Sequence, residues 1–433
     1  MVIKTSLLCK HCIILLILIS FNFSTVHAQN DAIPYFKGAI KKNRVEEQRN
    51  IVNYLINRDL SLPLTDSTKE NWENAFWAME LLQYRSDWAT NRINIAFDSV
   101  EKRSTDLQRS LLELAYANYP NDFVDAVRKL IEQTNDEKVF ALCAEYLKQN
   151  DSSEKTNDYL WEQFETTNNS YGWYKNTDSI TSIISGRLSN QKILPAKYIL
   201  PPFFATNFLK KNVVVYSIQR KNRDYPGIAI VKDINGNFIK NDDGSIFYVL
   251  QLARSVGNLP FYLTNGNTPQ GIFRMHGFDI SRANYIGPTT NIQLTMPFET
   301  SIQKFMNDET ITDTIWTEDQ YKKLLPDGLK DYKPLYETYY AGGIGRSEII
   351  AHGTTIDPEY YKEKIFYPLT PTQGCLCTKE IWSDIDGRRI ESDQQKLVDA
   401  VKRAGGADGY YIVIEIDNLE KPVSIEDILP FVK

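Results

Sequence analysis

From about residue 43 to residue 166, apolar positions recur at helical spacing. Leu107, Leu111, Leu114 and Ala115 fall at i, i+4, i+7 and i+8, which is one apolar helix face. Phe123, Val127, Leu130 and Ile131 repeat that spacing after Pro120, and Val139, Leu142, Cys143 and Tyr146 fall at the equally helical i, i+3, i+4 and i+7. Thr134-Asn135-Asp136-Glu137 and Ser67-Thr68-Lys69-Glu70 fit the capping-box pattern and predict helix starts. Consecutive helices with short polar breaks predict stacked helical hairpins of HEAT or TPR type, with no nameable repeat consensus. Cys143, on an apolar helix face, reads as core packing.

The pattern then changes. Residues 149–190 are polar and broken, which predicts a linker or irregular elements. After Pro201-Pro202 the runs Val213–Ile218, Ile228–Val231, Phe247–Leu252 and Gly271–Met275 read as strands, with a hairpin turn at Asn235-Gly236. Gln394–Arg403 reads as a helix and Tyr410–Ile416 as a last strand. The expected architecture is α+β multidomain: an all-α helical-hairpin domain over 29–190, then a mostly β domain over 191–433. Each half carries its own apolar periodicity, so residues 190–433 are expected to fold without the helices.

Composition changes this picture at the N-terminus. Lys4 and Lys10 precede an apolar run from Ile13 to Ile19, and Val26-His27-Ala28 offers a small-residue cleavage site. This predicts a secretory signal peptide over 1–28 and an exported protein of the periplasm or cell envelope. The alternative, an uncleaved anchor, meets a run short of the about 20 apolar residues that a span needs. Cys9 lies before the apolar run, where a lipid-attachment cysteine would not sit. The whole chain has 49 Lys and Arg against 55 Asp and Glu, and losing the signal makes the balance more acidic. That excludes nucleic acid as the expected partner, since it selects a basic face.

Past residue 28 the cysteines are Cys143, Cys375 and Cys377, and the histidines His276 and His352. Three cysteines in an exported chain are no disulfide framework, so at least one thiol is free or pairs between chains. Thiolate attack needs a base nearby and backbone donors for the oxyanion. Cys375 follows Gly374, where the backbone can approach a substrate closely. His352 ends the apolar run Ile349-Ile350-Ala351 and is followed by Gly353-Thr354, a strand delivering an imidazole at its end.

These segments resemble the catalytic core of the L,D-transpeptidase family (the YkuD-type domain). His352-Gly353-Thr354 is similar to the family's His-Gly-Thr/Ser strand end. Thr372-Gln373-Gly374-Cys375 is similar to its [Ser/Thr]-His-Gly-Cys, and Asn267-Thr268-Pro269-Gln270-Gly271-Ile272-Phe273 to its Thr-Pro-x-Gly-x-Phe strand. The resemblance covers roughly residues 205–420 and leaves the helical half aside. It departs at Gln373, where the family has His, and at Cys377, where it has Arg or Asn. The loop from His to Cys is longer, and an aromatic-rich insertion separates Ile280 from Ile344.

The resemblance implies a cysteine acyltransferase acting on peptidoglycan stem peptides, with Cys375 as nucleophile, His352 as base and no metal or organic cofactor. Gly374, Gly353, Thr354, Thr372, Gln373 and Arg346 become the oxyanion and substrate-binding candidates, with the N–H groups of Gly374 and Cys375 forming the oxyanion hole. An amine acceptor gives a transpeptidase and water a carboxypeptidase. Structural readings stand beside these. His352 could be a buried strand histidine, and His276 a strand histidine or a spatial stand-in for the family's lost His. Cys375 could pair with Cys377, although a bridge across one residue strains the usual geometry. A zinc site from His276, His352 and Cys375 is conceivable by ligand count alone. Arg274, Arg282 and Arg346 could fork substrate carboxylates. The rival from another class is a transpeptidase-like domain without turnover, whose helical half binds envelope proteins on an extended concave face. Gln373 and Cys377 favour that rival.

Overall fold

The structure, a computed structural model, describes residues 33–171, 180–188 and 193–432; the expected export segment lies outside them. Helices Lys69–Leu81, Thr105–Asn118, Glu137–Asn150 and Ile180–Leu188 stack in that order, each on the next. Asp87–Phe97 and Val124–Ile131 pack beside that row. Leu107, Leu111, Leu114, Val139 and Leu142 are buried, as the periodicity requires, and Cys143 has no exposed surface.

Two local expectations change. The start of Glu137–Asn150 is capped by Asp136, whose carboxylate accepts from the N–H groups of Lys138 and Val139 at 3.0 and 2.9 Å. A carboxylate suits the positive end of a helix, and it displaces Thr134 from the cap. At Lys69–Leu81 the capping residue is Thr68, which makes no side-chain cap bond. The polar stretch expected to be irregular contains the helix Glu154–Tyr171. Its buried face joins Leu160 and Phe164 to Thr156, Thr167 and Asn168, so half of the stripe is polar and the period is faint.

The described residues of the second half hold ten strands: β1 Val213–Gln219, β2 Gly227–Lys232, β3 Val249–Leu252, β4 Gly271–Ile280, β5 Thr290–Thr295, β6 Ile350–His352, β7 Leu376–Thr378, β8 Glu380–Trp382, β9 Arg389–Ser392 and β10 Asp408–Glu415. Eight close a barrel in the order β1-β10-β4-β5-β6-β7-β3-β2, with β8 and β9 as a separate two-stranded sheet. The pairs β1–β10 and β6–β7 are parallel and the rest antiparallel. β5 lies inside the stretch read as an insertion.

The strands that read as unbroken apolar runs are buried on both faces. Val213 and Val215 of β1 share a core with Leu397, Val398 and Val401 of the helix Asp393–Ala404. That helix packs on β1, β2, β3, β5 and β7, so it fills the barrel. Val214, Tyr216 and Ile218 point the other way, under the helix Ala196–Phe204 and the aromatic-rich segment of Phe305, Tyr321 and Tyr336. Alternation of side chains along each strand produces both cores.

The helical half meets the barrel without a gap. One core cluster runs through both. Tyr262 Oη donates to Glu145 Oε1 at 2.7 Å, Tyr361 Oη to the Leu81 carbonyl at 2.8 Å, and Arg44 pairs with Asp357 at 3.2 Å. Tyr262, Tyr361 and Asp357 lie on loops of the strand-rich half, so helices back those loops.

Candidate active site

The parallel pairing of β6 with β7 brings two distant segments side by side. His352 stands opposite Cys377, and Ala351 opposite Leu376. Ala351 and Leu376 belong to the core that the barrel helix shares, so Ile350, His352, Cys375 and Cys377 project from the other face. Cys375, just before β7, is half-buried beside Ile350, whose N–H lies 3.5 Å from its sulfur. The Glu348 carbonyl lies 3.7 Å from the same sulfur. His352 is therefore the diagonal neighbour of Cys375, roughly 8 Å away between α-carbons by strand spacing and rise.

The turn that carries Cys375 is held from several sides. Thr372 Oγ1 donates to the Cys375 carbonyl at 2.8 Å and accepts from the Gly374 N–H at 3.1 Å. Thr268 Oγ1 donates to the Gly374 carbonyl at 2.9 Å. Gly374 has φ +114°, and an added Cβ would strike the Arg346 guanidinium. Arg346 in turn donates to the carbonyls of Phe261, Asn267 and Gly266, the last two at 2.9 Å.

His352 Nδ1 meets the Gly353 carbonyl. A carbonyl only accepts, so Nδ1 carries the proton and Nε2 the lone pair, the tautomer that a general base needs. Burial pushes the imidazole down to about 4 and the Cys375 thiol up to about 11, the latter opposed by the Ile350 N–H and the Arg346 charge. At neutral pH the pair is a thiol and a neutral imidazole. Cys377 is fully buried and pushed up to about 12 by the same cause, with its sulfur 3.9 Å from Thr370 Oγ1.

No family model, curated protein or solved structure matches this chain. The site is argued from its own geometry.

Cys375, His352, Gly353, Gly374, Thr372 and Arg346 come together. The Gly374 N–H, expected in the oxyanion hole, is occupied by Thr372, and Arg346 holds backbone carbonyls where a carboxylate fork was expected. Thr354 is buried below the site; its hydroxyl takes the Thr370 Oγ1–H at 3.0 Å and the Ile356 N–H at 3.1 Å. Gln373 is exposed on the turn. His276, exposed on β4, lies three strands from β7, about 14 Å away. At that distance it neither stands in for a histidine at position 373 nor joins His352 and Cys375 in a zinc site. Arg274 pairs with Asp408 across β10, and Arg282 is exposed. All three described thiols are free.

Two contributors were missed as site residues. In the sequence Thr268 stands out only as part of a strand motif. Glu380 carried no signal, because a lone Glu in an alternating strand reads as solvent-facing. Its side chain is fully buried, and burial pushes the carboxyl up to about 7. The cavities beside Phe238 and Arg403, and beside Phe97 and Asp122, include none of these residues.

Proposed function

We propose that this chain is an exported cysteine acyltransferase of the L,D-transpeptidase type, acting on peptidoglycan stem peptides. The observation that carries the reading is the convergence of Thr268, His352 and Thr372-Gly374-Cys375. These segments are separated in sequence, and each resembles a motif of one family. Cys375 attacks the carbonyl of the third stem residue as His352 Nε2 takes the thiol proton. The imidazolium then protonates the leaving amine of the terminal D-Ala, and a thioester remains. An amine of a second stem resolves it to a cross-link, and water resolves it to a shortened stem. With the Gly374 N–H already bonded, the oxyanion falls to the Cys375 N–H and to any donor the substrate itself orders. The Arg346 charge favours the thiolate as it forms.

The test is incubation of the protein with disaccharide-tetrapeptide, read by mass spectrometry. Loss of D-Ala with a cross-linked or trimmed product, absent in Cys375→Ala, is the expected result. No product from either protein would sink the reading.

A second reading, a groove without turnover, is favoured by one observation: His352 faces Cys377 directly and Cys375 only diagonally. It expects stem peptide to bind reversibly with no mass change.

A further inference from the structure

We propose that Glu380 is a positioning residue for His352, acting through the Gly353–Thr354 turn; the proposal rests on the acyltransferase reading. One face of β8 grips this turn from two sides. Trp382 Nε1 donates to the Thr354 carbonyl at 2.8 Å. Two residues earlier on the same face, the Glu380 carboxylate occupies the space where a Cβ on Gly353 would stand. The Gly353 carbonyl between these grips is the group that holds His352 Nδ1.

The carboxylate itself forms a hydrogen bond through one oxygen. Oε1 accepts from Ser392 Oγ at 2.5 Å, and Arg389 Nη1 stands 4.0 Å away. Oε2 is buried with no hydrogen-bond partner. Buried polar atoms without partners are rare and call for a cause. Here the orphaned oxygen is pressed against the one residue whose carbonyl sets the imidazole tautomer. The Thr289 hydroxyl and the Thr354 N–H lie near the same carboxyl, short of a hydrogen bond to Oε2, and favour its charged form. Ser392, which caps the barrel helix through the Gln395 N–H at 2.9 Å, ties the carboxyl to the start of that helix. The turn therefore inherits its position from the barrel helix, through Ser392 and Glu380.

The test is a double-mutant cycle on the full protein, reading iodoacetamide alkylation mapped to Cys375, with thermal melting alongside. A positioned base contributes about 10²–10⁴-fold, and Glu380→Gln is expected to remove roughly tenfold of that. In the His352→Ala background it is expected to remove nothing further, because its effect passes through the imidazole. Equal slowing in both backgrounds would mark a general packing role and overturn the proposal. No slowing by Glu380→Gln, with His352→Ala slow, would also overturn it while leaving the acyltransferase reading intact. If His352→Ala itself leaves alkylation unchanged, both fall. Should Glu380→Gln not fold, Trp382→Phe removes the other grip and is read by the same cycle.

Discussion

Cys375 and Cys377 are the same group two positions apart on one strand face, yet only the first is reachable. Cys375 is half-buried at the strand start, and Cys377 has no exposed surface. A carbapenem, whose strained ring a family thiol opens, is expected to acylate the wild type and Cys377→Ser. It should leave Cys375→Ala unlabelled, and label that follows Cys377 would refute the assignment. The imidazole supplies a second residue-scale prediction. Its ordinary value is 6.5, and burial holds it near about 4. A protonated imidazole cannot take the thiol proton, so acylation should fall as pH drops through about 4, and His352→Ala should lose that limb. A limb near 6.5 would mean that water reaches the imidazole in the working state.

At the scale of elements, the turn before β7 depends on two threonine hydroxyls and one glycine. Thr268→Ala is expected to slow acylation several-fold, because the Gly374 carbonyl loses its donor, and Thr268→Ser should restore it. Gly374→Ala meets both a positive φ and the Arg346 guanidinium. It should cost about 1–3 kcal/mol of stability, seen as a lower denaturation midpoint. The elements that carry these residues were legible unequally. Val213–Ile218 and Tyr410–Ile416 announced themselves because strands buried on both faces read as unbroken apolar runs. Glu154–Tyr171 did not, because Thr156, Thr167 and Asn168 share its buried face. His352 and Cys375 were legible as strand-end chemistry. Their neighbour Glu380 was not, since burial of a lone carboxylate is a property of the fold and leaves no local pattern. The occupied Gly374 N–H was likewise invisible: Thr372 could be matched to a motif, but the direction of its hydroxyl could not.

For the whole molecule, carboxyls raised by desolvation outnumber the lowered imidazole of the site. Glu113 is raised to about 8, Glu337 and Glu380 to about 7, and Glu80 well above its ordinary value, all by burial. A raised carboxyl binds more protons folded than unfolded, so its contribution is present at low pH and lost as pH climbs through the folded value. His352 acts oppositely, losing its contribution as pH falls from 6.5 toward about 4. The balance predicts a Tm that declines between about pH 5 and about pH 9, measurable by calorimetry. A Tm that rises over that range would show these carboxyls to be hydrated. The shared core makes a further prediction at this scale. Residues 193–433 alone would expose the loops that Leu81 and Glu145 now back, so the fragment should melt well below the full chain or bind a hydrophobic dye. A fragment as stable as the full chain would bear out the independent folding that periodicity suggests.

The contact between Tyr262 and Glu145 sets a rule for any attempt to recombine this protein. From Glu145 a continuous path runs to the Cys375 turn: Tyr262, the neighbouring Phe261 carbonyl, Arg346, then Gly374 and Cys375. A chimera that exchanged the helical half for an unrelated scaffold would cut this path at its first link. The transplantable unit is thus not the barrel. It is the barrel together with the helix Glu137–Asn150 and its Arg187 clamp on Glu145, and a gene fusion that respects that seam is the one expected to keep a reactive thiol.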